Sequence, residues 1–406
     1  MNIDIRKYAM VTGAYWGFTL TDGALRMLVL LHFHSIGYSP FEIALLFLFY
    51  EFFGIITNLI GGWIAARVGL KVTLFAGLAL QVIALSLLAM FDPAWPGVMG
   101  VAYVMALQAL SGIAKDLTKL SSKSAVRLIV PKDEYGVLFR WVAVLTGSKN
   151  TLKGIGFFMG GALLAWLGFA GALIAMAGGL AIILLMTVIA LPGDLGQASK
   201  KLSFRKILSK NASINWLSGA RFFLFGSRDI WFVVGLPLFL AGTIGWDHFQ
   251  VSGYMATWVI AYGLVQAATP KLLKQLGKIP DSTISRRWIV ILILVTIAIS
   301  TTVHAGIAPG LSILLGLLAF GFAFAVNSAI HSYLVLAYSE SDHVSLNVGF
   351  YYMANAGGRL LGTLLSGLMY QWGGFVLCLS ISVVFLLASW SLSLNLPNFT
   401  GQLDKS

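Results

Sequence analysis

Apolar runs of about twenty residues recur along nearly the whole chain, and that repetition leaves few folds open. A lipid-spanning helix needs roughly 20 mainly apolar residues. Twelve such spans are read at approximately 9–33, 41–65, 72–91, 98–122, 137–165, 169–191, 214–240, 248–272, 288–306, 311–337, 346–371 and 374–396. Only 10% of the 406 residues are charged, where a soluble protein carries about a quarter. The expectation is an all-α integral membrane protein, its first apolar run a span rather than a cleaved signal peptide. The net charge of +12 does not point to nucleic acid, because the cations flank hydrophobic spans. A single cysteine, Cys378, permits no internal disulfide and no thiolate metal cluster.

The connections alternate in charge. One set carries Arg6 and Lys7, Arg67 and Lys71, Arg127 and Lys132, then Lys200, Lys201, Arg205, Lys206 and Lys210. The same set continues with Lys274, Lys278, Arg286, Arg287 and Lys405, whereas the alternate loops contain no Lys or Arg. The positive-inside bias then puts both termini and the central loop in the cytoplasm. That basic central loop, residues 192–213, separates two six-span halves, residues 1–191 and 214–406. Thr12-Gly13-Ala14 in the first span is echoed by Ser218-Gly219-Ala220 in the seventh, which sets Asp22 opposite Arg228. Duplicated six-helix halves with substrate held near the midplane are a recurring transporter plan.

Charge inside the spans is the more telling feature. Arg26, Lys115, Lys119, Lys149, Lys153, Arg221, Arg228 and Arg359 are eight cations at depth, against four acids, Asp22, Glu51, Asp116 and Asp229. Each unpaired charge costs several kcal/mol in lipid unless it faces a partner or a wet cavity. A cavity for a multiply charged anion accommodates the surplus. Lys115 and Lys119 are four residues apart, as are Lys149 and Lys153, so each pair shares a helix face, where like charges repel unless an anion lies against them. Arginine binds oxyanions through a planar fork, and lysine acts as a point charge.

The stretch Gly62-Trp-Ile-Ala-Ala66-Arg67-Val-Gly69-Leu70-Lys71 resembles the loop signature of the major facilitator superfamily, with Ala66 at the usual acid and Leu70 at a usual basic position. Within that superfamily, three runs resemble the ArsJ-type organoarsenical efflux permeases. They are Phe18-Thr-Leu-Thr-Asp22-Gly23-Ala-Leu-Arg26, Leu110-Ser-Gly-Ile-Ala-Lys115-Asp116-Leu-Thr-Lys119 and Leu145-Thr-Gly-Ser-Lys149-Asn150-Thr-Leu-Lys153. Arg221-Phe-Phe-Leu-Phe-Gly-Ser-Arg228-Asp229 fits the same group. The resemblance implies twelve helices in two six-helix bundles and export of 1-arseno-3-phosphoglycerate, formed when a glyceraldehyde-3-phosphate dehydrogenase uses arsenate in place of phosphate. It also implies a functional link to that dehydrogenase, arsenate resistance and, by the superfamily's habit, a monomer. The alternative is a transporter of other organic anions such as sugar phosphates, phosphoglycerates or carboxylates.

On this reading Arg26, Lys115, Lys119, Lys149, Asn150, Lys153 and Arg228 bind substrate, and Asp22, Glu51, Arg67, Asp116, Arg221, Asp229 and Arg359 serve coupling or gating. Asp22 and Arg26, four apart, are candidates to pair within one helix. Asp116 is expected to pair with Arg140 or Lys149, and Glu51 is read as an unpaired acid at depth. A lone His331 reads as structural. Six scattered histidines with no zinc-type or triad spacing, and no Walker loop, speak against an enzyme, and no cofactor is expected.

Overall fold

A peptide group in the bilayer core has no water to bond, so each apolar run closes its own hydrogen bonds by coiling into a helix. The computed structural model describes residues 5–129, 135–191, 211–275, 281–338 and 344–397, and within them not every side chain, those of 61–68 and 123–147 being the main omissions. Most of the central loop therefore lies outside the described residues, as do the side chains of Arg67 and Arg140.

The helices are α1 (Ile5–Ser35), α2 (Pro40–Leu46), α3 (Leu48–Val68), α4 (Leu70–Leu88), α5 (Gly97–Ile129) and α6 (Tyr135–Ala190), then α7 (Ala212–Phe232), α8 (Gly235–Leu238), α9 (His248–Gln275), α10 (Ser282–His304), α11 (Pro309–Ala337) and α12 (Val344–Ser393). No strand occurs among the described residues. Among the described residues, eight helical stretches are long and apolar enough to cross a membrane. Two of them, Ser148–Ala190 and Gly349–Ser393, run 43 and 45 residues, about double one crossing. Each is broken where glycine allows a left-handed backbone, at Gly168 (φ 67°) and at Gly374 (φ 65°). Counting those as two crossings apiece, and adding the long helices α1 and α9, gives the twelve expected spans. Their starts are locally encoded. Ser39 and Glu42 form a capping box on α2 behind Pro40, Asn211 accepts from the Ser213 and Ile214 amides to open α7, and Asp281 accepts from Ile284 to open α10. Side chains such as Ile189 (73% exposed) and Leu294 (61%) stand on the outside, which suits lipid rather than water.

The chain divides into two compact units, Met1–Ser203 with Leu240–Ile260, and Phe204–Phe239 with Ala261–Ser406. In the first, α1 packs along α6, and α3 and α4 pack on α5. Val11, Ala14 and Phe18 of α1 meet Leu74 and Leu78 of α4 and Leu180 of α6 in a buried core. In the second, α7 packs along α12, and Ile214 and Leu217 join Val326, Ile330 and Leu334 of α11.

Both units use glycine to bring the charged helix close to its neighbour. A Cβ on Gly156 would lie 2.5 Å from the Leu20 carbonyl oxygen and 3.1 Å from the Gly23 Cα. A Cβ on Gly362 would lie 2.7 Å from the Gly226 carbonyl oxygen and 2.9 Å from the Asp229 Cβ. Such small-residue contacts are how helices approach closely in lipid, where apolar side chains gain little by leaving the bilayer. Gly156→Leu is expected to push α1 off α6 at a cost of roughly 1–3 kcal/mol. The check is the melting temperature of the detergent-extracted protein, which should fall; an unchanged melting temperature contradicts the close packing.

Candidate functional site: buried charge clusters in each unit

In the first unit the charges gather where α1, α3 and α5 meet. One face of α3 presents Tyr50, Gly54, Thr57 and Asn58, at helical spacings of four, seven and eight residues. Arg26 of α1 donates from Nη2 to Glu51 Oε1 at 2.7 Å, with the two side chains 7% and 1% exposed. The Arg26 guanidinium also lies 5.3 Å from the Phe47 ring centroid and 5.5 Å from that of Tyr50. Glu51 is thus a paired acid, contrary to its sequence reading. Asp22 does not take Arg26 as its partner either. It accepts a hydrogen bond from the Tyr50 hydroxyl at 2.5 Å.

Lys115 of α5 places its Nζ 3.9 Å from the centre of the Tyr50 ring, so one tyrosine organises Asp22, Arg26 and Lys115 together. Next to Lys115, Asp116 accepts from Lys119 Nζ, one turn on, and from Thr57 Oγ1, each at 2.8 Å, and Lys119 donates also to Asn58 Oδ1 at 2.7 Å. Asp116 therefore finds a cation on its own helix, Lys119, rather than at Lys149, and the expected alternative, Arg140, has its side chain outside the described residues. Gly54 faces both: a Cβ there would make ordinary contact, 3.5 Å from Asp116 Oδ2 and 3.6 Å from Lys115 Nζ. Asp22, Leu25, Arg26, Phe47, Tyr50 and Gln108 line a crevice too narrow for a water molecule, so the cluster is closed on itself.

Lys149, Asn150 and Lys153 are half-buried on α6, the helix that packs on α1. Lys153 Nζ lies 5.6 Å from the Phe157 ring centroid. Ser148, one residue before Lys149, accepts from the Trp16 indole at 2.9 Å and ties the two helices near that point.

In the second unit a single carboxylate holds two arginines. Asp229, fully buried, accepts from Arg228 through Oδ1 and from Arg359 Nε through Oδ2, the latter at 3.1 Å. The Arg228 guanidinium sits between aromatic rings, 4.9 Å from Phe225 and 5.3 Å from Phe324. Just beyond, α7 is interrupted, and the freed amides of Val234 and Gly235 both donate to Ser366 Oγ at 3.1 Å. Arg221 lies two turns before Arg228 on α7 and is 4% exposed. It donates to Asn355 Oδ1 at 2.9 Å and to the carbonyl and hydroxyl oxygens of Ser328, each at 3.2 Å.

All twelve intramembrane charges singled out in the sequence lie in described helices, and in each unit the cations outnumber the acids. Sequence reasoning missed the neutral partners Tyr50, Thr57, Asn58, Ser328 and Asn355, and Gln108 lining the crevice beside them. The helical spacing on α3 was the available signal for three of them. Among the described residues no group of three or more His, Cys, Asp or Glu is arranged to hold a metal, and Cys378 is buried and free.

The family model described as Major Facilitator Superfamily matches residues 10–284. No match was found among curated proteins. Among solved structures, the crystal structure of a POT family transporter in complex with 5-aminolevulinic acid is similar, with a TM-score of 0.76, 15% identity and 96% of each chain covered. At that identity the likeness speaks to fold alone.

Proposed function

The chain belongs to the major facilitator superfamily of secondary transporters, and from that footing we propose that it exports a multiply charged organic anion, namely the phosphate-arsenate ester 1-arseno-3-phosphoglycerate. One observation carries the anionic cargo. Three of the four acids at depth are bound to cations, Glu51 to Arg26, Asp116 to Lys119, and Asp229 to Arg228 and Arg359, and the fourth, Asp22, accepts from Tyr50. The eight cations singled out exceed these four acids in number, and an anionic cargo balances the excess charge.

In this proposal Arg26 and Arg228, with Lys149, Asn150 and Lys153, hold the anionic ends, while Lys115 and Lys119 draw the anion from the cytoplasm. Glu51 and Asp229 occupy the arginines when no cargo is bound. Loading exchanges a protein carboxylate for a cargo oxyanion, so binding and conformational change are linked through the same ion pairs. Asp22, Asp116, Arg67 and Arg359 take coupling or gating roles around them. The arsenical identity of the cargo rests on the resemblance of the charged runs to the ArsJ-type permeases. A general organic-anion transporter is the alternative, since sugar phosphates, phosphoglycerates and carboxylates offer the same oxyanion chemistry.

Arsenic accumulation in arsenate-challenged bacteria expressing the chain, with and without a co-expressed glyceraldehyde-3-phosphate dehydrogenase, separates the two. Lower accumulation only when both proteins are present is the expected result. Equal accumulation in all strains, with the protein confirmed in the membrane, leaves the general organic-anion reading.

A further inference from the structure

We propose that Arg221 is the centre of a separate oxyanion-binding subsite inside the second unit, built from α7, α9, α11 and α12 and distinct from the Arg228–Asp229–Arg359 cluster. The proposal deepens the anion-transporter reading and rests on it. Its ligand is one phosphate or carboxylate group of the cargo.

Arg221 differs from the other arginines in what answers its charge. Arg26 has Glu51, and Arg228 and Arg359 share Asp229. Arg221, 4% exposed, bonds among the described residues only to neutral oxygens, those of Asn355 and Ser328. Its guanidinium is stacked 3.8 Å from the Phe225 ring centroid and 5.1 Å from that of Tyr351. A buried guanidinium without a carboxylate is costly and characteristically awaits an anion.

Hydrogen-bond supply and demand point the same way. A serine hydroxyl offers two lone pairs. Three donors converge on Ser328 Oγ, namely Arg221 Nη1 at 3.2 Å, the Tyr262 hydroxyl at 3.3 Å and Gln266 Nε2 at 3.3 Å. The three contacts are long, and the Tyr262 hydroxyl oxygen is within reach of the Ser328 hydroxyl's own proton. One turn along α11 stands His331, fully buried, with neither ring nitrogen hydrogen-bonded. A neutral imidazole always carries one N–H to give, and leaving such a group unsatisfied costs about 1–3 kcal/mol. An imidazole without a hydrogen-bond partner and a guanidinium answered by no carboxylate describe a site completed by an oxyanion. Asn355 and Gln266 are half-buried.

Thermal stabilisation of the purified, detergent-solubilised full chain by 3-phosphoglycerate and by inorganic phosphate provides the test, with wild type, Arg221→Gln and Arg221→Lys measured side by side. Arg221→Gln is expected to melt no lower than wild type without anion, because it removes an uncompensated buried charge, yet to bind 3-phosphoglycerate at least tenfold more weakly. Arg221→Lys keeps the charge and loses the fork, so it should fall between them. A structural arginine gives the reverse pattern, lower melting without anion and undiminished binding, and that result overturns the subsite while leaving the anion-transporter reading standing. Should the Gln variant not fold, the Lys variant decides alone: weakened binding supports the subsite, and wild-type binding overturns it. A wild-type protein stabilised by neither probe overturns the anion-transporter reading and the subsite together.

Discussion

Asp229→Asn is expected to be the most damaging single substitution in the second unit. Its carboxylate is fully buried and accepts from two arginines, so the change leaves two guanidiniums facing a neutral amide. Removing one partner of a buried ion pair typically costs about 3–5 kcal/mol, largely because the remaining charge is stranded. Whole proteins are stable by only roughly 5–15 kcal/mol, so stranding two cations at once consumes much of that margin. The expected result is a sharp loss of monodisperse, detergent-extractable protein. A second substitution, Arg359→Gln, should restore part of the yield by removing one stranded charge. Wild-type yield from Asp229→Asn alone contradicts the bridging role.

Glu51→Gln carries the second large effect and separates stability from transport. Arg26 and Glu51 are both buried, and the substitution leaves Arg26 without its carboxylate at a similar cost of about 3–5 kcal/mol. In the proposed mechanism Glu51 also competes with cargo for that guanidinium. Glu51→Gln should therefore melt lower than wild type without ligand, bind an organic phosphate more tightly and turn over more slowly. Replacing both residues by leucine removes the pair as a unit, and such replacements are often neutral or stabilising. The double variant is expected to regain melting temperature while showing no transport. Arg26→Lys, which keeps charge but not the fork, should also transport poorly. Normal efflux from the double variant takes Arg26 out of the binding site.

The helices were readable because lipid allows so little choice. Gly168 and Gly374 fall in or beside the short gaps between the spans read at 137–165 and 169–191 and at 346–371 and 374–396, and the turn at each carries one left-handed glycine. The positions of the buried charges were readable for the same reason, since an arginine in an apolar run stands out. Their partners were not. Asp22 and Arg26 have the right spacing to pair, yet each bonds across to α3, where Tyr50 and Glu51 are adjacent in sequence and diverge in space. Side-chain partners depend on how helices face one another, and the helical period alone does not encode that. Arg221 shows the limit from the other side: its position near the start of α7 suggested a gate, whereas its neutral, donor-rich surroundings became visible only once α9, α11 and α12 were in place.

The most direct measurement of the central claim is uptake of radioactive arsenic by everted membrane vesicles containing the chain. Arsenate is supplied alone, or together with glyceraldehyde-3-phosphate, its dehydrogenase and the nicotinamide cofactor so that the ester forms outside the vesicle. The account predicts accumulation only when the ester is being made, reduced by excess 3-phosphoglycerate and lost in vesicles lacking the chain. Equal uptake with arsenate alone, or no uptake in either case with the protein present and folded, contradicts it.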